Sequence, residues 1–324
     1  ALAAIGLGGV TGAALLLPLG LDQFGLIHTA YLHLAIVLPV VGFWFAWLHR
    51  GRAGAAACLG AVLVLATASY ASFVEPFALQ VETRAFTAEH PGTRVRLGVL
   101  SDLQTSHVGA YEHRAIDALL AEQPDIILVP GDIYQGDDRA FEEQRASLRA
   151  LLARLEARGG VFCVLGDADR RSRMEEMIAG TSIRVLENEV ATTSVDGRTV
   201  HVAGLGLHPS SGEAKRAVDD AARAGPSDSL RIVLAHRPDA VLYLSGKDDV
   251  DLVVAGHTHG GQVRLPFVGA PMTLTSVPRP VAEGGLHRVG THRIYVSRGV
   301  GCERGQAPRV RFLAPPELSI IDVY

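Results

Sequence analysis

Charged residues are nearly absent from the first 74 residues of this 324-residue chain, where the exceptions are Asp22, Arg50 and Arg52. All other charged residues lie in 75–324, and this asymmetry excludes a uniformly soluble protein. The whole chain has a formal net charge of −4 and no block of basic residues, so we expect no nucleic-acid partner. A hydrophobic content of 48% with 20% charged residues also excludes a disordered chain and a collagen-like fold.

Cysteine is scarce as well, with only Cys58, Cys163 and Cys302. No C-x-x-C pair and no zinc-ribbon spacing occurs, so the sequence offers no structural zinc site of that kind. An external domain could oxidise Cys163 and Cys302 to a disulfide, but two free thiols are the default expectation. Internal repeats and low-complexity linkers are also missing from the sequence.

Three apolar stretches fill the nearly uncharged region, at residues 1–20, 26–48 and 53–74. Each is about as long as the roughly 20 residues that a membrane-spanning helix needs. A signal peptide followed by buried core helices is the alternative, and the presence of two further stretches argues against it. We therefore predict a transmembrane region of about three helices in residues 1–74, followed by a separate domain in residues 75–324.

The short loops between these stretches predict an orientation. The loop at 49–52 contains two arginines, whereas the loop at 21–25 contains one aspartate and no basic residue. Short loops rich in arginine stay on the cytoplasmic side of a membrane. Residues 75–324 are therefore expected outside the cytoplasm.

From residue 94 onward, short apolar runs alternate with segments of helical periodicity. This alternation is typical of an α/β sandwich. The predicted helices cover 114–121 and 139–157. The predicted strands cover 95–100, 125–129, 161–165, 199–203, 230–235, 252–255, 293–297 and 318–323.

Polar residues of the kind that bind metals follow five of the predicted strands. Ligands of open α/β sheets gather beyond the carboxyl ends of strands. A single aspartate at such a position is often only a helix cap, and a single histidine is more often a core residue than a ligand. Five such strand ends together predict a metal site. Its candidate residues are Asp102, Gln104, Asp132, Asp167, His236, His257 and His259.

The ordered blocks resemble the motifs of the calcineurin-like metallophosphoesterases, and within them the membrane-attached bacterial branch. They read Ser101-Asp102-Leu103, Gly131-Asp132, Gly166-Asp167-Ala168-Asp169, His236 and Gly256-His257-Thr258-His259-Gly260-Gly261-Gln262. The resemblance extends over about residues 75–324. It implies a four-layer α-β-β-α sandwich with two metal ions at the edge of its sheets. For the whole chain it implies a multi-pass protein of the bacterial cytoplasmic membrane.

The resemblance also implies a role for each position. The first metal ion would be held by Asp102, Gln104, Asp132 and His259. The second would be held by Asp132, Asp167, His236 and His257, so that Asp132 bridges the two ions. Such a pair clamps a phosphate and activates a bridging hydroxide for in-line attack. Mixed carboxylate and imidazole ligands suit Mn, Fe or Zn, and carboxylate-rich sites also accept Mg.

Three positions depart from the family pattern. Gln104 stands where the family has histidine, and a neutral amide oxygen is a poorer ligand than imidazole for Zn or Fe. Asp167 stands where the family has asparagine and adds a negative charge. These two changes shift ligand strength from the first metal ion to the second. Ala168 replaces the histidine that is thought to assist the leaving group, and alanine has no proton to donate.

Other side chains could take over the missing role. Besides the bridging Asp132, the catalytic candidates are His107, which follows Gln104 on the same loop, His208 and Arg170. Arginine binds phosphate oxygens through two parallel hydrogen bonds. A surface side chain without a catalytic role is the alternative for each of the three.

These observations predict a membrane-anchored, divalent-metal-dependent phosphoesterase, that is, a hydrolase of a phosphate ester or a pyrophosphate. Because the anchor holds the site near the bilayer, a lipid-linked or envelope-precursor phosphate is the expected substrate class. The alternative is a catalytically impaired module that binds metal or phosphate at the membrane. The three departures favour this alternative, whereas the retained Asp102, Asp132, His236, His257 and His259 oppose it. A transporter is disfavoured because the apolar stretches contain no central carboxylates.

Overall fold

The computed structural model describes residues 22–246 and 249–324. These residues divide into two compact units. Of the described residues, the helical unit comprises those up to Pro76 together with Glu303–Arg311, and the sheet unit comprises those in Phe77–Cys302 and Phe312–Tyr324. The sequence predicts one domain over residues 75–324, whereas the structure groups 303–311 with the helices.

The helical unit contains two long apolar helices. The first is continuous over Gln23–Leu48 and consists of α1 (Gln23–Leu32), a π-helical turn (His33–Val37) and α2 (Leu38–Leu48). Pro39, which has no amide hydrogen, is the second residue after this turn, as expected where a helical hydrogen bond is lost. The second, α3 (Arg52–Phe73), continues as a 3₁₀ turn to Phe77. Both helices are long and apolar enough to cross a membrane, by length and composition.

Small residues allow these two helices to pack closely. A Cβ added at Gly42 would lie 3.0 Å from the Cβ of Ala61, closer than side chains ordinarily pack, so the helices approach each other closely because Gly42 has no side chain. Tyr31 adds a polar contact, because its hydroxyl donates to the backbone oxygen of Ala68 at 3.1 Å. The predicted spans 26–48 and 53–74 thus correspond to observed helices, and the predicted span 1–20 lies outside the described residues.

The sheet unit contains two six-stranded sheets. Their strand orders are β1-β12-β2-β3-β4-β5 and β10-β11-β9-β8-β7-β6. In the first sheet β2, β3, β4 and β5 run parallel, and in the second β7, β8, β9 and β11 run parallel. The strands are β1 (Gln80–Phe86), β2 (Val95–Val99), β3 (Ile126–Val129), β4 (Val161–Cys163), β5 (Ile183–Val185), β6 (Glu189–Val195), β7 (Arg198–Gly204), β8 (Leu230–Leu234), β9 (Leu252–Ala255), β10 (Gly285–Val289), β11 (His292–Val296) and β12 (Glu317–Val323).

Helices cover the outer faces of the two sheets. The inner core joins side chains from both sheets, such as Val99 and Leu128 of one with Val202 of the other. Outside the first sheet pack α4 (Ala110–Ala121), α5 (Asp138–Leu152) and α6 (Arg171–Ile178). Outside the second pack α7 (Gly212–Arg223) and the short α8 (Arg279–Ala282). The predicted α/β fold with two sheets is therefore confirmed.

Several element boundaries differ from the sequence prediction. Helix α4 begins at Ala110 rather than at residue 114, because Glu112 accepts a hydrogen bond from the amide of Gly109 at 2.9 Å and closes the first turn. Helix α5 ends at Leu152 rather than at 157. Helices α6, α7 and α8 and strands β1, β5, β6 and β10 are not predicted from the sequence. Strand β1 is largely exposed, so its residues lack the apolar run on which a strand prediction depends.

Candidate metal centre

The seven predicted ligands all follow the carboxyl ends of parallel strands. Asp102 and Gln104 follow β2, Asp132 follows β3, Asp167 follows β4, His236 follows β8, and His257 and His259 follow β9. Five of them have a left-handed backbone: Asp102, Gln104, Asp132, His257 and His259, with φ between +35° and +73°. Residues other than glycine rarely adopt this conformation, and it occurs preferentially at functional sites. Backbone hydrogen bonds hold it here, such as the one from the Gln104 amide to the Asp132 carbonyl at 2.8 Å.

The carboxylate of Asp132 lies at the centre of this group. Its Oδ2 accepts a hydrogen bond from Nε2 of Gln104 at 3.0 Å, and its Oδ1 accepts one from the backbone amide of Ala168 at 2.7 Å. A Cβ added at Gly166 would collide with this carboxylate, so the close approach of the two loops requires glycine. The Nε2 atom of His236 lies 3.5 Å from Oδ2 of Asp132.

A second carboxylate, that of Asp169, holds the Asp132 loop from behind. Its Oδ2 accepts from the amides of Asp132 at 2.7 Å and Gly166 at 2.9 Å, and its Oδ1 accepts from the amide of Ile133 at 3.0 Å. Burial and the neighbouring Asp132 nevertheless raise the pKa of Asp169 to about 6. Asp169 therefore positions the central carboxylate, a role that the sequence analysis did not assign to it.

Asp102 is fully buried beside Asp132. Burial, together with the negative charge of Asp132, raises the pKa of Asp102 to about 6, although the nearby His236 favours its charged form. The Ser101 hydroxyl and the backbone amide of His257 donate to its carboxylate, the latter at 3.0 and 3.1 Å. Two carboxylates in one buried place repel each other unless a cation or a proton compensates them.

Asp167 is the most exposed carboxylate of the centre and has three basic neighbours. Its Oδ2 lies 3.1 Å from Nδ1 of His257 and 3.5 Å from Nε2 of His236. Arg237 donates to both of its oxygens, from Nε at 3.0 Å and from Nη2 at 2.5 Å. Burial raises the pKa of Asp167, but these three neighbours outweigh burial and lower it well below its usual range. The contact with Arg237 is new, since the sequence gives that residue only as the neighbour of His236.

Both histidines at this end of the centre present nitrogens that suit a metal ion. Nδ1 of His236 donates to the Pro130 carbonyl at 2.8 Å, which leaves Nε2 as the nitrogen with the lone pair. That Nε2 is buried and has no hydrogen-bond partner among the described residues. In the same way Nε2 of His257 lies 3.2 Å from the Leu274 carbonyl, so the lone pair of a neutral imidazole on Nδ1 faces the Asp167 carboxylate. A lone pair facing a carboxylate needs a cation or a proton between them.

The residues therefore fit a divalent metal ion. Two groups of three have ligand atoms within 4.8 Å of one another: Asp167 with His236 and His257, and Asp102 with Asp132 and His236. His236 thus belongs to both groups, whereas the resemblance assigned it to the second metal ion alone. Nε2 of His259 lies 3.9 Å from Oδ1 of Asp102, on the side of the centre assigned to the first metal ion.

The three residues that could replace the missing histidine at Ala168 lie outside the group of predicted metal ligands. Arg170 precedes α6 and donates to Asp138 at 3.1 Å. His107 and His208 are exposed on loops. Among the described residues, none of the three forms a hydrogen bond or ion pair with a predicted metal ligand. The structure does not bring them together with the Asp132 carboxylate.

Comparison with known proteins gives a consistent result. Residues 95–261 match the family model of the calcineurin-like phosphoesterases. The chain is 29% identical over 291 residues to the metallophosphoesterase YkuE of Bacillus subtilis, covering 84% of this chain and 94% of that protein. It is 30% identical over 215 residues to the phosphodiesterase YaeI of Escherichia coli, covering 64% and 74%.

A third relative has a more specific name. The chain is 30% identical over 152 residues to the UDP-2,3-diacylglucosamine pyrophosphatase LpxG of Chlamydia trachomatis, covering 45% of this chain and 43% of that protein. The match therefore extends over less than half of either chain.

Proposed function

The chain belongs to the calcineurin-like phosphoesterase family, and from this premise we propose that it is a membrane-anchored, divalent-metal-dependent phosphoesterase. One observation carries the proposal. Nε2 of His236 is a buried nitrogen without a hydrogen-bond partner among the described residues, and it faces oxygens of both Asp132 and Asp167 at 3.5 Å. Such a nitrogen is costly to bury unless a metal ion or a proton occupies its lone pair, and the further candidate ligands around it favour the metal ion.

In this proposal the side chains hold two divalent ions. Asp102, Gln104, Asp132 and His259 would hold the first, and Asp132, Asp167, His236 and His257 the second. When bound, such ions polarise a phosphoryl oxygen and neutralise charge that develops on it. The metal identity is open among Mn, Fe, Zn and Mg, since carboxylates and imidazoles serve all four.

The remaining chemistry depends on positions set by the chain itself. Asp169 and the backbone amide of Ala168 orient the Asp132 carboxylate from two sides. The Pro130 carbonyl fixes the tautomer of His236. These contacts keep the ligands in place before any ion binds, and preorganisation of this kind lowers the cost of reaching the transition state.

The leaving group needs a proton that Ala168 cannot donate. The structure brings none of the three substitutes into contact with a predicted metal ligand, and Arg170 is engaged with Asp138. We propose His107 rather than His208, because His107 is exposed on the loop that carries Gln104. Changing His107 to Gln should lower kcat for a substrate with a poor leaving group more than for an aryl phosphate, whose leaving group needs no proton. Equal effects on both substrates would contradict this role.

We further propose that the two long helices anchor the protein in a membrane. Large apolar side chains on them are exposed, including Trp47 and Phe73 at 76% each, whereas core helices of soluble proteins bury such residues. The arginines at 50 and 52 would keep their loop in the cytoplasm and the sheet unit outside it. A reporter that is active only outside the cytoplasm, fused after Tyr324, should then be active. A reporter active only inside would contradict the orientation.

A lipid-linked or envelope-precursor phosphate is the proposed substrate class. The anchor would hold the site near lipids, and one relative is by name a pyrophosphatase of a diacylated sugar nucleotide. Hydrolysis of aryl phosphomonoesters, aryl phosphodiesters and UDP-2,3-diacylglucosamine by the full chain, with and without added metal ions, tests the proposal. Chelator-sensitive hydrolysis of at least one of them is the expected result.

The second candidate is a module that binds metal or phosphate without turnover. It is favoured by Gln104, whose amide nitrogen donates to the Asp132 carboxylate, and by the methyl group at Ala168. Metal binding with no hydrolysis of any substrate in the panel would support this candidate over the enzyme.

A further inference from the structure

An uncharged segment follows the last metal-binding motif. Residues 265–278 contain no charged side chain and lie between Arg264 and Arg279. Within it, Phe267 is fully exposed, and the other large apolar side chains between 265 and 274 are about half exposed. We refer to residues 265–274 as the apolar loop. Its exposed side chains are Leu265, Phe267, Val268, Met272 and Leu274.

Hydrogen bonds hold the apolar loop in this exposed form. Leu265 and Gly269 exchange two backbone hydrogen bonds, both of 2.9 Å, and close a tight turn. Phe267 lies at the tip of this turn with φ of +65°, a conformation that is strained for a bulky side chain. At its base, Glu283 accepts from the amide of Ala270 at 2.7 Å, and Arg279 donates to the Val268 carbonyl at 2.5 Å. The apolar tip is therefore presented to solvent by a built structure.

The apolar loop borders the candidate metal centre. The Leu274 carbonyl lies 3.2 Å from Nε2 of His257, and Nδ1 of the same ring lies 3.1 Å from Asp167. Leu274, like Phe267, has a left-handed backbone, with φ of +52°. The His257 ring therefore contacts both the backbone of the apolar loop and a carboxylate of the candidate metal centre. A substrate that is apolar at one end and phosphorylated at the other would contact both.

We propose that the apolar loop inserts into the headgroup–acyl boundary of a lipid bilayer and brings the metal centre to lipid-linked phosphates. The proposal rests on the membrane-anchored phosphoesterase proposed above. An exposed apolar patch beside polar groups marks an interaction site, and a charge-free tip flanked by cations fits a surface of anionic headgroups. The flanking cations are Arg264 and Arg279.

Chain connectivity favours a bilayer over another occupant. The second candidate span ends at Phe77 and β1 begins at Gln80. The three steps from Phe77 to Gln80 reach only about 10 Å even when extended, at about 3.5 Å per residue. If Arg52–Phe77 crosses the bilayer, the first strand of the sheet unit starts at the bilayer surface. A lipid surface is then tethered to the domain that carries this loop, whereas any other partner has to arrive by diffusion.

The test places a nitroxide spin label at the tip of the loop in the full chain. The variant is Phe267→Cys with Cys58→Ser, since Cys58 is exposed whereas Cys163 and Cys302 are buried. A matched control carries the label at the exposed Ser210 after β7. Both are reconstituted in vesicles of phosphatidylethanolamine and phosphatidylglycerol. Collisions with oxygen, which enters lipid, are compared with collisions with a water-soluble nickel complex.

We expect the label at 267 to collide more with oxygen than with the nickel complex, and the label at 210 to show the reverse. Equal, water-like behaviour at both positions would overturn the proposal. Strong spin–spin broadening at 267 would also overturn it, because a second copy of the chain would then cover the loop. These results do not depend on hydrolysis, so they stand even if the proposed enzymatic function fails.

A second measurement connects the loop to substrate. The double variant Phe267→Ser with Val268→Ser should lose at least tenfold of the hydrolysis rate for a bilayer-embedded phosphate ester and keep its rate for a soluble aryl phosphodiester. Equal loss on both substrates would contradict a docking role. Absence of hydrolysis by the unmodified chain on both would refute the proposed function and leave the spin-label result to decide the docking.

Discussion

The ion pair between Arg237 and Asp167 allows a quantitative test of the second metal site. Arg237 donates to both oxygens of Asp167, at 3.0 and 2.5 Å, and both side chains are partly exposed, at 43% and 30%. A metal ion that binds Asp167 has to share or displace this guanidinium. We therefore expect Arg237→Gln to increase metal affinity at the second site.

The size of the effect follows from two contributions. A partly exposed two-pronged ion pair stabilises the metal-free form by about 1 kcal/mol. A positive charge near a divalent ion, screened by solvent, adds a repulsion of up to about 1 kcal/mol. Together they give about 1–2 kcal/mol, or about a five- to thirtyfold gain in affinity, since about 1.4 kcal/mol corresponds to tenfold.

The assay is calorimetric titration of the full chain in detergent with Mn²⁺. Arg139→Gln is the matched control, because Arg139 forms an exposed ion pair with Glu143 at 3.1 Å that involves no predicted ligand. The gain should disappear in the Asp167→Asn background, where there is no carboxylate for Arg237 to hold. Unchanged or weaker metal binding in Arg237→Gln would refute the reasoning and indicate that Arg237 supports Asp167 as a ligand.

Three further predictions concern other parts of the sheet unit. Gln104→His should raise metal affinity at the first site in the same titration, because the first site has the weaker ligands; two equal, tight sites in the unmodified chain would contradict this difference between the sites. Ala168→His should raise the hydrolysis rate on the order of 10²–10⁴-fold only if no other residue protonates the leaving group. Asp169→Asn should weaken metal binding at least tenfold, because Asn has only one acceptor oxygen for the three amides that now donate to Asp169. Unchanged metal binding would show that the loop of Asp132 keeps its conformation without these hydrogen bonds. Burial raises the pKa of Glu317 to about 7 from an ordinary value of 4.5. The folded state therefore binds a proton more readily than the unfolded state, and the free energy of unfolding should fall as pH rises from about 4.5 to 7. Thermal unfolding in detergent at pH 5 and 8 should show a smaller pH dependence in Glu317→Gln, and an unchanged dependence would contradict this.

The sequence predicts those parts of the molecule that depend on local pattern. The apolar runs that form β2, β3, β8 and β9 are buried, so their composition alone marks them as strands. The residues after each run are brought to one edge because these strands run parallel within their sheets. Locating seven polar side chains near one another therefore required only the strand ends and the motif blocks that follow them.

Contacts between distant residues could not be predicted in the same way. Strand β1 is defined by its pairing with β12, which follows it by more than 200 residues. Arg237 and Asp167 are 70 residues apart, and no local pattern connects them. The grouping of Glu303–Arg311 with the helices likewise depends on contacts such as the Arg311 amide with the Ala71 carbonyl at 2.9 Å.

The exposure of the apolar loop was also beyond sequence reasoning. Its composition, apolar and without charge, is equally typical of a buried segment. Only the paired hydrogen bonds of Leu265 and Gly269 and the contacts at its base show that Phe267 points away from the core.

The most direct test of the proposed function compares the unmodified full chain with Asp132→Ala. Metal content and hydrolysis of an aryl phosphodiester and an aryl phosphomonoester are measured on the same preparations. Asp132 is the carboxylate that would contact both ions, so its loss leaves two cations without the charge that compensates them. We predict that the unmodified chain binds divalent metal and hydrolyses at least one substrate, and that Asp132→Ala loses both properties together. Full metal content and activity in Asp132→Ala would contradict the assignment of the metal centre.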